Sequence, residues 1–178
     1  MHELPPLSVL ARAAGGEPAR LPTPALSLAE RRDAGFVRLS VDLKRDADLR
    51  GGIEAVAGPL PGPNQWSERA LWQGPAEWLL ASAPDAAQAL AARLQSGFDG
   101  RAALANDATD GLVVIEVSGP GARDRLAGGT GVALDPAPGR LALTRLGDVR
   151  VTLLFDGPDF RLIVERSLAD YLWSWLSR

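Results

Sequence analysis

Apolar and polar positions along the chain follow short-period patterns that predict strands and helices. Residues 36–43 alternate between apolar and polar side chains, as in a half-buried strand. The strand-like segment 102–117 is interrupted by turn-prone residues, and its strongest part, 112–117, is apolar enough for a central strand. The same criteria predict further strands at 69–73, 76–82, 140–146, 149–155 and 159–165, and helices at 46–57, 85–94, 122–127 and 168–176.

Turn and capping residues mark the ends of the C-terminal elements. Gly147-Asp148 and Asp156-Gly157-Pro158 predict hairpin turns between three successive strands. Ser167, with Asp170 three residues later, predicts the start of the last helix through a short capping box. The apolar stripe predicted for that helix consists of Leu168, Tyr171, Leu172, Trp175 and Leu176.

The order of these elements predicts the fold class. The first half reads β-α-β-β-α-β, which is the ferredoxin-like order, and the second half, α-β-β-β-α, reads as an altered copy. We therefore predict an α+β protein with antiparallel sheets, made of two ferredoxin-like halves at about 34–117 and 118–178.

Residues 1–33 differ from the rest in being rich in proline and glycine. Such residues disfavour helices and central strands, so we predict a Pro-rich N-terminal arm outside the folded part. Two interpretations stay open, a partly disordered tail and an extended arm that wraps a partner. The residues concerned are Pro5, Pro6, Gly15, Gly16, Pro18, Pro22 and Pro24.

Length and charge limit the classes of function. A chain of 178 residues forms one domain or two small halves. Its 19 Lys and Arg against 22 Asp and Glu give a net charge of −3, which argues against nucleic-acid binding. Neither an apolar run of signal-peptide length nor a stretch of about 20 apolar residues is present, so we expect a cytoplasmic protein that does not contact membranes.

Groups suited to catalysis are scarce in this sequence. There is no cysteine, and His2 and Lys44 are the only histidine and lysine. Disulfides, thiolate nucleophiles, histidine-based triads and Cys or His metal sites are therefore excluded, and arginine does not serve as a base at ordinary pH. We predict no catalytic, cofactor-binding or metal-binding residue in this chain.

Tryptophan and arginine supply candidate interface residues instead, because both are enriched at the energetic centres of interfaces. The candidates are Trp66, Trp72, Trp173, Arg145 and Arg166. Each has an alternative role within the fold. Trp72 and Trp78 would pair across a hairpin over the core, Trp173 would rest on a nearby loop, and the arginines would form internal ion pairs.

Gly119-Pro120-Gly121 lies between a predicted strand and a predicted helix. Glycines before a helix can bind phosphate through backbone N–H groups. The spacing is not that of a dinucleotide or P-loop motif, however, and proline removes one donor. We favour a tight turn over a phosphate site.

Four stretches together identify a family resemblance. They are Leu71-Trp-Gln-Gly-Pro-Ala-Glu-Trp-Leu-Leu80, Val117-Ser-Gly-Pro-Gly-Ala-Arg-Asp-Arg-Leu126, Thr144-Arg145-Leu146 and Phe160-Arg-Leu-Ile-Val-Glu-Arg-Ser-Leu-Ala-Asp-Tyr-Leu-Trp173. The chain resembles the gamma subunits of heterotetrameric sarcosine oxidases from about residue 34 to its end, and Leu134-Asp135-Pro136 and Gly139 fit the same pattern.

The resemblance implies a fold like that of the folate-binding aminomethyltransferases and a structural role, mainly against the alpha subunit. It implies that the complex oxidises sarcosine to glycine, hydrogen peroxide and a one-carbon unit that passes to tetrahydrofolate. FAD, FMN, NAD and folate are then expected in the alpha and beta subunits, and zinc in the delta subunit.

Two alternatives to a structural subunit stay open. One is a stand-alone folate-binding or one-carbon-transfer protein, with arginines for the glutamate tail and tryptophans for the pterin. The Lys-Gly segment typical of the aminomethyltransferase folate site is absent here, since Lys44 is followed by Arg45, so no folate ligand is assigned. The other alternative is a binding module from an unrelated pathway.

Overall fold

The computed structural model describes residues 10, 19–135 and 139–178. These residues form ten strands, four α-helices and two single turns of 3₁₀-helix at Pro84–Ala86 and Thr109–Gly111. The strands are β1 (Arg20–Pro22), β2 (Ser27–Arg31), β3 (Gly35–Val41), β4 (Ala70–Gly74), β5 (Glu77–Ser82), β6 (Ala103–Asp107), β7 (Leu112–Ser118), β8 (Leu141–Leu146), β9 (Val149–Asp156) and β10 (Asp159–Glu165). The helices are α1 (Leu49–Ala57), α2 (Ala87–Ser96), α3 (Ala122–Ala127) and α4 (Arg166–Leu176).

The predicted α+β class is confirmed. One sheet has four strands and the other has six, with antiparallel pairing between neighbours. Contacts divide the described residues into two compact units. We call 33–109 with 139–141 the central unit, and residues 10, 19–32, 110–135 and 142–178 the terminal unit.

The central unit has the ferredoxin-like arrangement predicted for the first half. Its elements run β3-α1-β4-β5-α2-β6, and the strand order in the sheet is β4-β5-β3-β6. Helices α1 and α2 bury apolar residues in one core with the sheet. The most buried members of this core include Val37, Leu39, Val41, Ile53, Leu80 and Ala87.

The terminal unit completes a similar four-stranded arrangement with a strand from the N-terminal segment. Its sheet order is β1-β2-β7-β10-β9-β8, so β2 takes the place beside β7 that a fourth ferredoxin-like strand would occupy. Strands β1 and β8 extend the sheet at its two edges. The core lies between the sheet and helices α3 and α4, and it includes Leu28, Ile115, Leu126, Phe155, Phe160, Leu162 and Leu172.

The prediction of an arm over residues 1–33 is wrong for residues 19–31. Leu28 is fully buried opposite Val117, and Arg31 forms a 2.6 Å salt bridge with Glu116 on β7. Proline does not prevent this pairing, because Pro22 ends an edge strand, where a missing N–H is tolerated. The prediction for residues 1–9 and 11–18 falls outside the described residues.

The predicted boundary between the halves also differs from the observed one. The sequence pattern predicts β7 as part of the first half, but the strand is a central strand of the six-stranded sheet, between β2 and β10. The division therefore falls between Thr109 and Asp110. Local patterns predict β7 as a strand but do not indicate which sheet it joins.

The apolar stripe predicted for helix α4 is correct for Leu172, Trp175 and Leu176 and wrong for Leu168 and Tyr171. The helix begins at Arg166, so Ser167 lies inside it and is not its N-cap. Ala169, Leu172 and Leu176 are the buried residues, with Trp173 packed against the same core. The predicted stripe members Leu168 and Tyr171 are 40% and 53% exposed.

The first helix, in contrast, begins later than predicted, at Leu49, after turns over residues 43–48. Within the described residues, no helix has both the length and the apolar character needed to cross a membrane.

Candidate interaction site

A cleft of about 700 Å³ opens in the terminal unit between the loop after α3 and the β8–β9 hairpin turn. Its lining residues are Ala127, Gly128, Gly129, Thr130, Gly131, Thr144, Arg145, Gly147, Asp148 and Trp175. Four of the ten are glycines, so much of the cleft wall is bare backbone. The loop, the turn and α4 each contribute one side of the cleft.

Trp175 packs against both glycine-bearing segments. A Cβ atom added to Gly129 would lie 2.4 Å from Cη2 of Trp175, and one added to Gly147 would lie 2.8 Å from Cδ2 of the same ring. Such distances are below van der Waals contact, so any larger residue at these positions requires the indole to move. The ring therefore holds the loop and the turn against α4.

The Arg125 guanidinium lies over the Trp175 ring, with 4.3 Å between Cζ and the ring centroid. This distance is typical of a cation–π contact. The same guanidinium donates a 3.1 Å hydrogen bond from Nε to the Leu176 carbonyl near the end of α4. Arg125 and Trp175 thus join α3 to α4.

The β8–β9 turn is confirmed at the predicted residues. Gly147 has φ 55° and Asp148 has φ 68°. Two successive positive φ values in a two-residue loop are the mark of a type I′ turn. The Gly147 N–H donates to the Gly129 carbonyl at 3.3 Å, and the Thr130 and Thr144 hydroxyls are 2.8 Å apart, so the turn is bonded to the neighbouring loop.

Arg145 lies on β8 at the rim of this cleft and is exposed. Its guanidinium donates to the Asp148 carbonyl at 2.9 Å. A two-residue turn at 147–148 pairs Leu146 with Val149, and so places Arg145 directly opposite Arg150 on β9. Sequence reasoning singled out Arg145 but missed Arg150, because cross-strand neighbours follow only from the register.

Trp66 and Trp72 lie together in the central unit and are partly buried. The backbone N–H of Trp66 donates to the Gly139 carbonyl at 2.8 Å. Trp72 lies opposite Trp78 on the β4–β5 hairpin. Trp72 packs against the core of the unit, which is the alternative considered for the Trp72–Trp78 pair. Trp78 is itself buried and donates from Nε1 to the Pro61 carbonyl at 3.0 Å.

Trp173 and Arg166 lie on α4 in the terminal unit. Trp173 is partly buried against the core, not directed away from it as the predicted stripe required. Arg166 donates from Nε to the Asp110 carbonyl, and Nη2 of Arg166 lies 3.7 Å from Oδ1 of Asp110. This is the internal ion pair considered as the alternative for Arg166. The cleft therefore contains Arg145 but none of the other predicted interface residues.

A separate charged group supports the start of α1 in the central unit. Arg101 makes ion pairs with Asp46 at 3.1 Å and with Asp48 at 2.8 Å. The hydrogen bonds that Arg101 donates to Asp48 hold the pKa of the Asp48 carboxyl below its usual value and raise the pKa of the Arg101 guanidinium. The cluster thus ties the loop before β6 to the loop before α1.

The Gly119-Pro120-Gly121 segment is a tight turn, as favoured over a phosphate site. The Gly121 N–H donates to the Ala25 carbonyl at 2.7 Å, so it is not available to an anion. A Cβ on Gly119, which has φ 99°, would lie 2.9 Å from the same oxygen. These glycines allow the residues before β2 to approach the start of α3.

The chemistry of the cleft is that of recognition. Its described lining offers an arginine, two hydroxyls, one carboxylate, one indole and glycine backbone. Within the described residues no cluster of three or more His, Cys, Asp or Glu side chains is suited to a metal ion. Arginine and exposed backbone favour a partner with carboxylate groups or extended backbone.

Comparisons with known proteins place this fold among its relatives. The structure is similar to a heterotetrameric sarcosine oxidase from Corynebacterium sp. U-96 in complex with pyrrole 2-carboxylate, with a TM-score of 0.80 and 23% identity over 97% of this chain and 91% of that chain. It is also similar to the glycine cleavage system aminomethyltransferase T from Bartonella henselae, with a TM-score of 0.59 and 14% identity over 83% of this chain and 44% of that one.

Both likenesses concern the fold, and they confirm the predicted aminomethyltransferase-like architecture. No curated protein sequence matches the chain. A family model does match, over residues 64–178, and it describes the sarcosine oxidase gamma subunit family. Because this match spans more than half of the chain, the protein belongs to the sarcosine oxidase gamma subunit family.

Proposed function

We propose that this chain is a non-catalytic structural subunit of a heterotetrameric sarcosine oxidase. The observation that carries the proposal is the family match over residues 64–178. In the proposed complex, other subunits oxidatively demethylate sarcosine to glycine, hydrogen peroxide and a one-carbon unit for tetrahydrofolate. This chain stabilises their assembly.

The scarcity of reactive side chains supports a structural role. The chain has no cysteine, and its single histidine and single lysine are His2 and Lys44. Acid–base, nucleophilic and redox chemistry depend mainly on those residue types. FAD, FMN, NAD and folate would accordingly be bound by the partner subunits.

The similarity to a heterotetrameric assembly supports a role with partners. That similarity extends over almost the whole of this chain. We propose the alpha subunit as the main partner, with the beta and delta subunits completing the complex. A permanent interface of this kind commonly buries roughly 2,000 Å² or more.

Affinity purification from the native host tests this function. The tagged full-length chain is purified from cells grown on sarcosine, and the eluate is analysed by mass spectrometry and by a visible absorption scan. We expect large subunits in fixed ratio to the chain, together with the absorption of bound flavin. Recovery of the colourless chain alone would contradict the proposal.

Catalytic independence needs a second measurement. Sarcosine oxidation and hydrogen peroxide release are assayed with the purified chain and with the purified complex. We expect activity only in the complex. Turnover by the chain alone would contradict its non-catalytic role.

A further inference from the structure

Two arginines occupy adjacent positions on the β8–β9 hairpin without a carboxylate partner. Arg145 and Arg150 are both exposed, and the hairpin register places them directly opposite each other on one face of the sheet. Among the described residues neither forms a salt bridge, and the Arg145 guanidinium donates to the Asp148 carbonyl. Like charges in this position destabilise a hairpin, whereas a bound anion offsets their repulsion.

The β8–β9 hairpin forms one edge of the six-stranded sheet. Strand β8 is the last strand of the six-stranded sheet, next to β9 alone. In a hairpin with a two-residue turn, alternate residues direct their N–H groups away from the partner strand, and here these are Arg145, Leu143 and Leu141. The Leu141 N–H confirms this alternation, since it donates to the Asn64 carbonyl at 2.9 Å.

In the four-stranded sheet, both edge strands have outward donors that are satisfied within the chain. On β6, the Ala105 N–H donates to Oε1 of Gln95 at 3.0 Å. On β4, the Trp72 N–H donates to the Gln65 carbonyl at 3.1 Å. Among the described residues, the backbone N–H groups of Leu143 and Arg145 on β8 have no such acceptor within the chain. An edge of this kind is a ready template for another strand.

Side chains at this edge add a specific chemistry. Leu143 is on the same face as Arg145, two residues earlier, and is 41% exposed. The cleft described above opens beside Thr144 and Arg145. The edge therefore combines unpaired backbone donors, an exposed apolar side chain and two guanidinium groups that match a carboxylate.

We propose that β8 is a strand-addition site for an extended acidic segment of a partner subunit. The segment pairs with the Leu143 and Arg145 backbone, an apolar side chain covers Leu143, and an Asp or Glu side chain binds Arg145 and Arg150. The inference rests on the proposed structural role, since it names the surface through which this chain joins its complex.

Charge reversal tests the arginine pair. The double variant Arg145→Glu and Arg150→Glu is compared with a matched double variant, Arg93→Glu and Arg178→Glu, which makes the same charge change at two exposed arginines elsewhere. Tagged chains are expressed in the native host, and thermal unfolding confirms that each variant folds. We expect the first variant to recover at least about tenfold fewer partner subunits than the wild type, and the control to recover a normal amount.

These results separate the two proposals. If the wild-type chain recovers no partner subunits, the structural role itself fails. If the wild type and both variants recover equal amounts, the role stands and the β8 site is wrong. Equal losses for both double variants would indicate a general charge effect and would also overturn the site.

Backbone pairing is tested in the wild-type complex, and the chemistry of the segment in a complex whose Leu143 is replaced by a photoreactive amino acid. Hydrogen exchange of the peptide spanning 141–146 is measured for the free chain and for the complex, and two further protected amides are expected on assembly. A photoreactive amino acid at position 143 is expected to crosslink to a partner peptide rich in Asp or Glu. Unchanged exchange, or a crosslink to a basic or helical segment, would overturn strand addition.

Discussion

Trp175 illustrates how single residues fix the loops of the terminal unit. Its indole contacts Gly129 and Gly147, and Arg125 covers the ring at 4.3 Å. The glycines are required by the close approach of the ring, and Gly147 is also required by its φ of 55°. A residue that was predicted to lie on a buried helical stripe therefore organises the cleft.

Replacing Gly129 by alanine is expected to destabilise the protein by about 1–3 kcal/mol, because the new Cβ would overlap the Trp175 ring. Denaturant unfolding measures this change. Gly131→Ala is the control, since nothing lies within 4 Å of a Cβ at that position. Equal stability of the two variants would show that the indole shifts freely.

Asp48 provides a test of pH dependence. Its hydrogen bond from Arg101 lowers its pKa below the ordinary value of 3.8, so this ion pair stabilises the folded state above that pH. Asp48→Asn is expected to be slightly less stable than the wild type at pH 7. The difference should shrink as the pH falls below 3.8 towards the lowered pKa of the folded protein, because the wild-type carboxyl is increasingly protonated over that interval.

Thermal unfolding between pH 3 and pH 7 follows this difference, and Asp159→Asn serves as an exposed control. A constant difference across the whole range would show that the Asn variant perturbs something other than the ion pair.

At the scale of elements, the N-terminal segment completes the terminal unit. Strand β2 pairs with β7 over five residues, and 83 or more residues of sequence separate the paired positions, from Arg31–Val114 to Ser27–Ser118. Leu28 thereby enters the core beside Ile115 and Val117. The segment is part of the fold. We therefore expect its removal to destabilise the terminal unit itself, whatever its effect on assembly.

Leu28→Ala is therefore expected to cost about 2–5 kcal/mol of unfolding free energy, as for other fully buried leucines. Leu168→Ala on α4 is the control, since that side chain is 40% exposed. Equilibrium unfolding in urea measures both variants. A loss at Leu28 no larger than that at Leu168 would contradict the role of β2 in the core.

Sequence patterns predicted the elements better than their assembly. Helix 122–127 and strand 159–165 match the structure, because capping glycines and hairpin turns are local signals. The partner of β2 was missed, since pairing across the chain is not encoded in local periodicity. The interface prediction likewise included Arg145 but not Arg150, because only the register brings them together.

At the scale of the whole molecule, the likeness to an aminomethyltransferase covers 44% of that longer chain and concerns the fold. Fold alone does not imply a ligand. The residues here do not include the Lys-Gly segment expected at a folate site, as Lys44 is followed by Arg45.

We therefore expect no saturable micromolar binding of tetrahydrofolate to the isolated chain in calorimetry. The purified complex is the positive control, because its other subunits are proposed to use folate. Saturable binding by the isolated chain would favour the alternative of a folate-binding or one-carbon-transfer protein.

The α+β class, the ferredoxin-like order of the central unit and the family could be predicted from the sequence alone. These three features depend on local periodicity, turn residues and contiguous motifs, all of which involve residues close together in the sequence. Three features became evident only in the folded structure: β2 completes the six-stranded sheet, Trp175 lies against two glycines, and Arg145 faces Arg150 at an open edge. These contacts are between residues that are distant in sequence or that are paired by the strand register. They therefore depend on burial and hydrogen bonding across the fold, which local sequence patterns do not specify.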